Sequence, residues 1–149
     1  MATEDGMATE RQDGPMFTEA DLISEYSRRQ AIEDGVLVDV TKAARETGFR
    51  VSVVLTSHVW ERCVSLDGKP LLKGLGQDER GRLHDVLWMA YLRARIGVRI
   101  SGDRGTFRLT VLVQEPGNKV QRVTEELVLA IGPVDEWEPV ATIMYAEDD

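Results

Sequence analysis

The chain has 149 residues, 42% of them hydrophobic, a single cysteine and a formal net charge of −8. That length suits one domain with a substantial core, and a lone Cys63 excludes an internal disulfide. No apolar run is long enough to span a bilayer, the first twenty residues lack the apolar stretch of a secretory signal, and one unpaired cysteine fits a reducing, cytoplasmic setting.

Charge is unevenly placed. Residues 1–35 hold nine acids and three bases, residues 36–124 nine acids and fifteen bases, and residues 125–149 eight acids and no base. Such segregation fits ordinary solvated surface, or an acidic face that meets a basic partner. A duplex would be repelled by the acidic C-terminal part, so direct nucleic-acid binding is not expected.

Residues 1–20 read as a disordered acidic tail. They carry the imperfect duplication MATEDG/MATERQDG and show no helical or strand period. Residues 21–149 form the expected single domain. Thr18 or Ser24 suits the start of a short helix, and Ser27 is a second cap, for "RRQAIED", with Gly35 as the stop. "VLVDV" (36–40) reads as a strand that Asp39 interrupts. Thr41 is the expected cap of "TKAARET", with Gly48 ending it. "VSVVL" (51–55) is strand-like. Thr56 or Ser57 then caps a helix in which Val59, Cys63 and Leu66 make one apolar stripe. Asp67-Gly68 and Gly74–Gly76 mark loop.

The strongest helical signal runs from Asp78 to about Arg95. Leu83, Val86, Leu87, Ala90 and Ala94 share one face. Trp88, Met89, Tyr91 and Leu92 make the other faces apolar as well, which predicts a central helix covered on more than one side. From Arg104 the period drops to two. Strands around Phe107–Val113, Val123–Ile131 and "VATIMYA", joined by "EPGNK" and "GPVDEWEP", form an antiparallel meander. The expected fold is α+β: N-terminal helices packed on a C-terminal antiparallel sheet of at least three strands.

Motifs of chemistry are sparse. "GLGQDERG" lacks the leading strand that a dinucleotide loop needs. His58, Cys63 and His84 lack zinc-ligand spacing, which points to a core cysteine and two surface histidines. No Gly-x-Ser-x-Gly elbow occurs. Neither a metal, a cofactor nor a catalytic residue is expected. Two surfaces remain. Glu125, Glu126, Asp135, Glu136, Trp137 and Glu138 could bind a partner through charge and one aromatic anchor, with Tyr145 a second exposed aromatic. Alternatively, Arg28, Arg29, Gln30 and Asp34 could line a small-molecule or nucleotide pocket between the first helix–strand corner and the central helix. The simpler reading of that corner is structural, with Arg28 or Arg29 paired to Asp39 or another acid.

Three stretches resemble an uncharacterised bacterial family found on plasmids, phages and other mobile elements: "ISEYSRRQAIEDGVLVDV" (23–40), "GRLHDVLWMA" (81–90) and "EPVATIM" (138–144). His84 and Ser27 depart from its pattern, which favours an aromatic residue and a threonine there. The resemblance supplies no catalytic residues. It implies an accessory protein of a mobile element. Taken with the charge, it suggests an inhibitor that binds a host defence protein with a basic surface, of the anti-CRISPR or anti-restriction type. A homodimer pairing exposed sheet edges is a further possibility.

Overall fold

The computed structural model describes residues 30–97, 103–133 and 139–148. Residues 30–33 form a helical turn that Gly35 ends with φ of 79°. The Gly35 N–H donates to Ile32 O and the Val36 N–H to Ala31 O, which is the paired closure a left-handed glycine permits. Strand β1 (Leu37–Asp39) follows, then helix α1 (Thr41–Thr47) and strand β2 (Ser52–Thr56). The α1 helix is not capped by Thr41. Asp39 is the residue that holds its start, accepting from the Thr41 backbone N–H at 2.9 Å and the Thr41 hydroxyl at 2.6 Å. The residue that breaks the apolar pattern of β1 is thus used to turn the chain into α1.

Thr56 does cap what comes next, accepting from the Val59 N–H. Helix α2 (Ser57–Val59) passes directly into a π-helical turn, Trp60–Val64. The Ser65 N–H donates to Trp60 O across five residues. A short helix α3 (Pro70–Gly74) occupies a stretch that reads as loop, with Pro70 in its first turn, where the missing N–H costs nothing. Helix α4 (Glu79–Gly97) is the long one, followed by β3 (Asp103–Glu115), β4 (Lys119–Pro133) and β5 (Pro139–Met144).

The five strands make one sheet in the order β1-β2-β5-β4-β3. The expected meander is present: β3 pairs antiparallel with β4, and β4 with β5. Pro116, Gly117 and Asn118 make its first turn, and Gly117 and Asn118 both have positive φ. The sheet is larger than the meander, however. β2 adds alongside β5 in parallel, and β1 adds antiparallel to β2. The N-terminal strands therefore complete the C-terminal sheet.

The helices cover one face of it. Val53, Leu55, Phe107, Leu109, Val111, Val113, Leu127, Leu129, Ala141 and Ile143 alternate along their strands toward that face. They pack with Ala44, Val59, Cys63, Val64, Val86, Leu87 and Ala90 from the helices. Val59, Cys63 and Leu66 are all buried, as their stripe predicts, although the helix ends before Leu66.

Candidate functional site

The α4 helix presents two different faces. Val86, Leu87 and Ala90 are fully buried, with Leu83 and Ala94 packed beside them. The opposite face is apolar and uncovered: Trp88 is 42% exposed, Met89 36%, Leu92 37% and Ile96 78%. The expectation of a helix covered on several sides is thus corrected. Sheet, α1 and the π-turn take one side of α4, and the other side is left exposed. The stripe begins beside His84 and Asp85, whose side chains are 63% and 72% exposed. Trp88 is held by rings on both flanks, stacked with His84 at 6.3 Å and with Tyr91 at 5.8 Å between centroids.

Between α1 and the start of α4 lies an open crevice of about 740 Å³, walled by Ala43, Glu46, Arg80, Leu83 and His84 among others. A second hollow lined by Asp39, Lys42, Trp60 and again Glu46, Arg80 and Leu83 adjoins it. This is the region between the first helix–strand corner and the central helix. Neither Gln30 nor Asp34 lines it. Both are exposed, and Gln30 Nε2 donates to Asp34 Oδ1 at 3.1 Å one turn along. Arg28 and Arg29 lie outside the described residues. Asp39, their supposed partner, binds Thr41.

The acidic residues separate. Glu125 shares the strand phase of Leu127 and Leu129 and so points to the helix side. It is 14% exposed, and its Oε2 lies 3.3 Å from Arg62 Nε. Glu126 has the opposite phase, is exposed on the outer face, and sits across from Arg108. Neighbouring acids in a strand cannot share a surface. Asp135, Glu136, Trp137 and Glu138 lie outside the described residues. Tyr145 is not an exposed anchor. It is 7% exposed, and its hydroxyl lies 3.5 Å from Cys63 Sγ. Burial, with hydrogen bonds to Cys63 and Glu125, pushes the Tyr145 phenol far above its ordinary range. Burial likewise pushes the Cys63 thiol up, against the hydrogen bond to Tyr145. A buried, protonated thiol is a poor nucleophile.

Two polar clusters escape a reading of the sequence. Arg82, 4% exposed, lies beneath the π-turn. Its Nε donates to Val64 O at 3.2 Å, Nη1 to Leu112 O at 2.9 Å and to Gln77 Oε1 at 3.0 Å, and Nη2 to Arg62 O at 3.2 Å. The π-turn leaves its last carbonyls unpaired, and one fork of guanidinium donors takes those of Arg62 and Val64 together with an edge carbonyl of β3, while Lys69 Nζ donates to that of Glu61. Burial lowers the Arg82 pKa, yet guanidinium stays charged. At the other end, Asp148 accepts from the Thr56 hydroxyl at 2.8 Å and the Tyr145 N–H at 2.9 Å, and its Oδ1 lies 3.0 Å from His58 Nδ1. The His58 ring packs on Tyr145 at 4.2 Å. Both clusters join segments far apart in sequence, and their donors are spent on that work.

The two histidines are exposed and the cysteine is core, as their spacing suggests. Among the described residues no group of three His, Cys, Asp or Glu side chains is placed to hold a metal. Nor is any helix there long and apolar enough to cross a membrane.

A family model described as a family of unknown function (DUF6573) matches residues 14–149. No curated protein and no solved structure matches the chain.

Proposed function

The chain belongs to DUF6573, a family of unknown function, and from that premise we propose that it is a non-enzymatic, acidic binding protein that occupies a basic surface on a protein partner. The observation that carries this reading is the charge segregation: eight acids and no base from residue 125 onward. Glu126 and Glu147 are exposed members of that set. Glu125 is excluded, because Arg62 already neutralises it inside the fold. The partner class that fits is a host defence protein with a basic nucleic-acid channel, met by an accessory protein of a mobile genetic element. The acids would then stand in for phosphates.

Affinity co-purification of the tagged chain from cells carrying several defence systems tests this. A stoichiometric partner that is retained at low salt and lost at high salt is expected. Charge reversal at Glu126, Asp135, Glu136 and Glu138 should abolish that capture. Unchanged capture by the reversed protein would refute the acidic face.

One observation favours a second reading. The crevice between α1 and α4 brings Glu46, Arg80 and His84 to one opening, with Lys42 in the adjoining hollow, which suits a small polar or nucleotide-like molecule. Its described site residues would be these, while Gln30 and Asp34 lie outside it. Thermal melting against a nucleotide panel decides it, since a ligand of the folded state raises the midpoint by mass action.

A further inference from the structure

We infer that the uncovered face of α4 is a homodimer interface, in which two copies of this chain pair antiparallel through Trp88, Met89, Leu92 and Ile96. Exposed apolar side chains are ordinary when they are scattered. Val36, Leu71 and Leu75 all lie away from α4. The four on α4 are contiguous and run along two turns of one helix. Asp85, Met89, Leu92 and Ile96 recur at steps of four, three and four, which is the seam spacing of two helices packed at a shallow angle. Trp88 lies beside the seam and is already held in place by His84 and Tyr91, so little of its freedom is left to lose on contact.

Charge selects the occupant and its direction. The seam is acidic at its N-terminal end, where Asp85 is 72% exposed. It is basic at its C-terminal end, where the exposed Arg95 lies 5.8 Å over the Tyr91 ring and donates to the Tyr91 hydroxyl. Arg93 does not compete, because its Nε is donated to Thr106 O at 3.0 Å. A two-fold axis beside Ala90 and Tyr91 sets Met89 of each copy against Leu92 of the other. The same axis sets Asp85 against the Ile96 end, with Arg95 one position away. Each copy thus offers an acid where the other offers a base, and the contact closes on itself. Parallel pairing would set acid against acid and base against base. Helix dipoles also favour the antiparallel arrangement.

The sheet edges fit self-association less well. β1 is three residues long. On β3, the Leu112 and Thr106 carbonyls are taken by Arg82 and Arg93 of the chain's own long helix. This inference is independent of the acidic-partner reading, and its test contains only this chain.

Sedimentation velocity of the full chain, from about 5 µM to about 500 µM, is the measurement. The expected result is a reversible species of about twice 16.7 kDa that Leu92→Glu dissociates, shifting the dimer Kd by about tenfold or more. Leu92 is partly exposed already, and an unchanged melting temperature for that variant would show that the fold survives. Asp85→Arg and Arg95→Asp should each weaken the dimer, and the two together should restore it, an outcome that lost packing cannot mimic. A monomer across the whole range overturns the inference. So does a dimer that Leu92→Glu and the single charge swaps leave intact.

Discussion

Asp148 shows how much one side chain near the end of the described chain can hold. Burial opposes its charge, but the Tyr145 N–H, His58 and Thr56 outweigh burial, and its pKa lies below the ordinary value. The folded state therefore binds the proton more weakly than the unfolded chain. The stabilisation is complete above the usual aspartate pKa of about 3.9, and it is lost as pH falls through the lower folded value. Asp148→Ala should cost about 1–3 kcal/mol at neutral pH and less as pH falls below the ordinary aspartate value, measured by urea melts across that range. Gly48 is constrained in another way. Its φ is 133°, and a Cβ there would sit 2.9 Å from the Tyr91 ring. Gly48→Ala should destabilise by about 1–3 kcal/mol and disturb the Phe49–Tyr91 edge contact, which calorimetry and aromatic NMR shifts would show. Arg82→Met keeps the bulk but strips donors from one buried and two half-buried carbonyls, and a loss of about 3 kcal/mol is expected in chemical denaturation. The sequence discloses some of this. Gly48 reads as a helix stop from its place after "TKAARET", and Cys63 reads as core from the Val59–Cys63–Leu66 stripe. Arg82 and Asp148 do not. Their partners are 18, 30 and 92 residues away, and nothing in local spacing marks an arginine as buried.

Among the elements, α4 and the β3–β4 hairpin were legible because their signals are long and local. The 3.6-residue period over Leu83–Ala94 and the two-residue period over Phe107–Val113 each repeat several times. The turn between Glu115 and Lys119 carries its own conformational requirement in Gly117 and Asn118. Leu87→Ala, at a fully buried position of α4, should cost about 2–5 kcal/mol in equilibrium unfolding. The π-turn at Trp60–Val64 was not legible. Whether a turn closes over four residues or five depends on what receives its free carbonyls, and the receiver is Arg82, in another helix. The outward face of α4 differs from its expected cover for a related reason. An apolar face predicts a cover, but it does not say whether this chain supplies one. Strand phase, by contrast, is legible, and the expected grouping of Glu125 with Glu126 runs against it. Adjacent positions already place Glu125 and Glu126 on opposite sides of a sheet, and only Glu126 belongs to an outward surface.

For the molecule as a whole, composition bounds the fold class, while pairing partners lie beyond it. The expected helices on a C-terminal antiparallel sheet describe the structure well. The parallel contact of β2 with β5 is the exception, since Ser52–Leu55 and Val140–Ile143 carry no mark of each other. Of the candidate acidic site, the charge surplus is legible and its geometry is only partly so.

That same parallel contact has a consequence for how the protein comes into being. The last strand in sequence is the middle strand of the sheet. While a ribosome is still making the first 138 residues, β1 and β2 have no neighbour to join them to β3 and β4. The sheet would remain two fragments with open edges until Pro139–Met144 emerges and stitches them together. A nascent chain stalled before residue 139 should be protease-sensitive throughout, and one stalled after the whole chain has cleared the exit tunnel should become resistant in a single step.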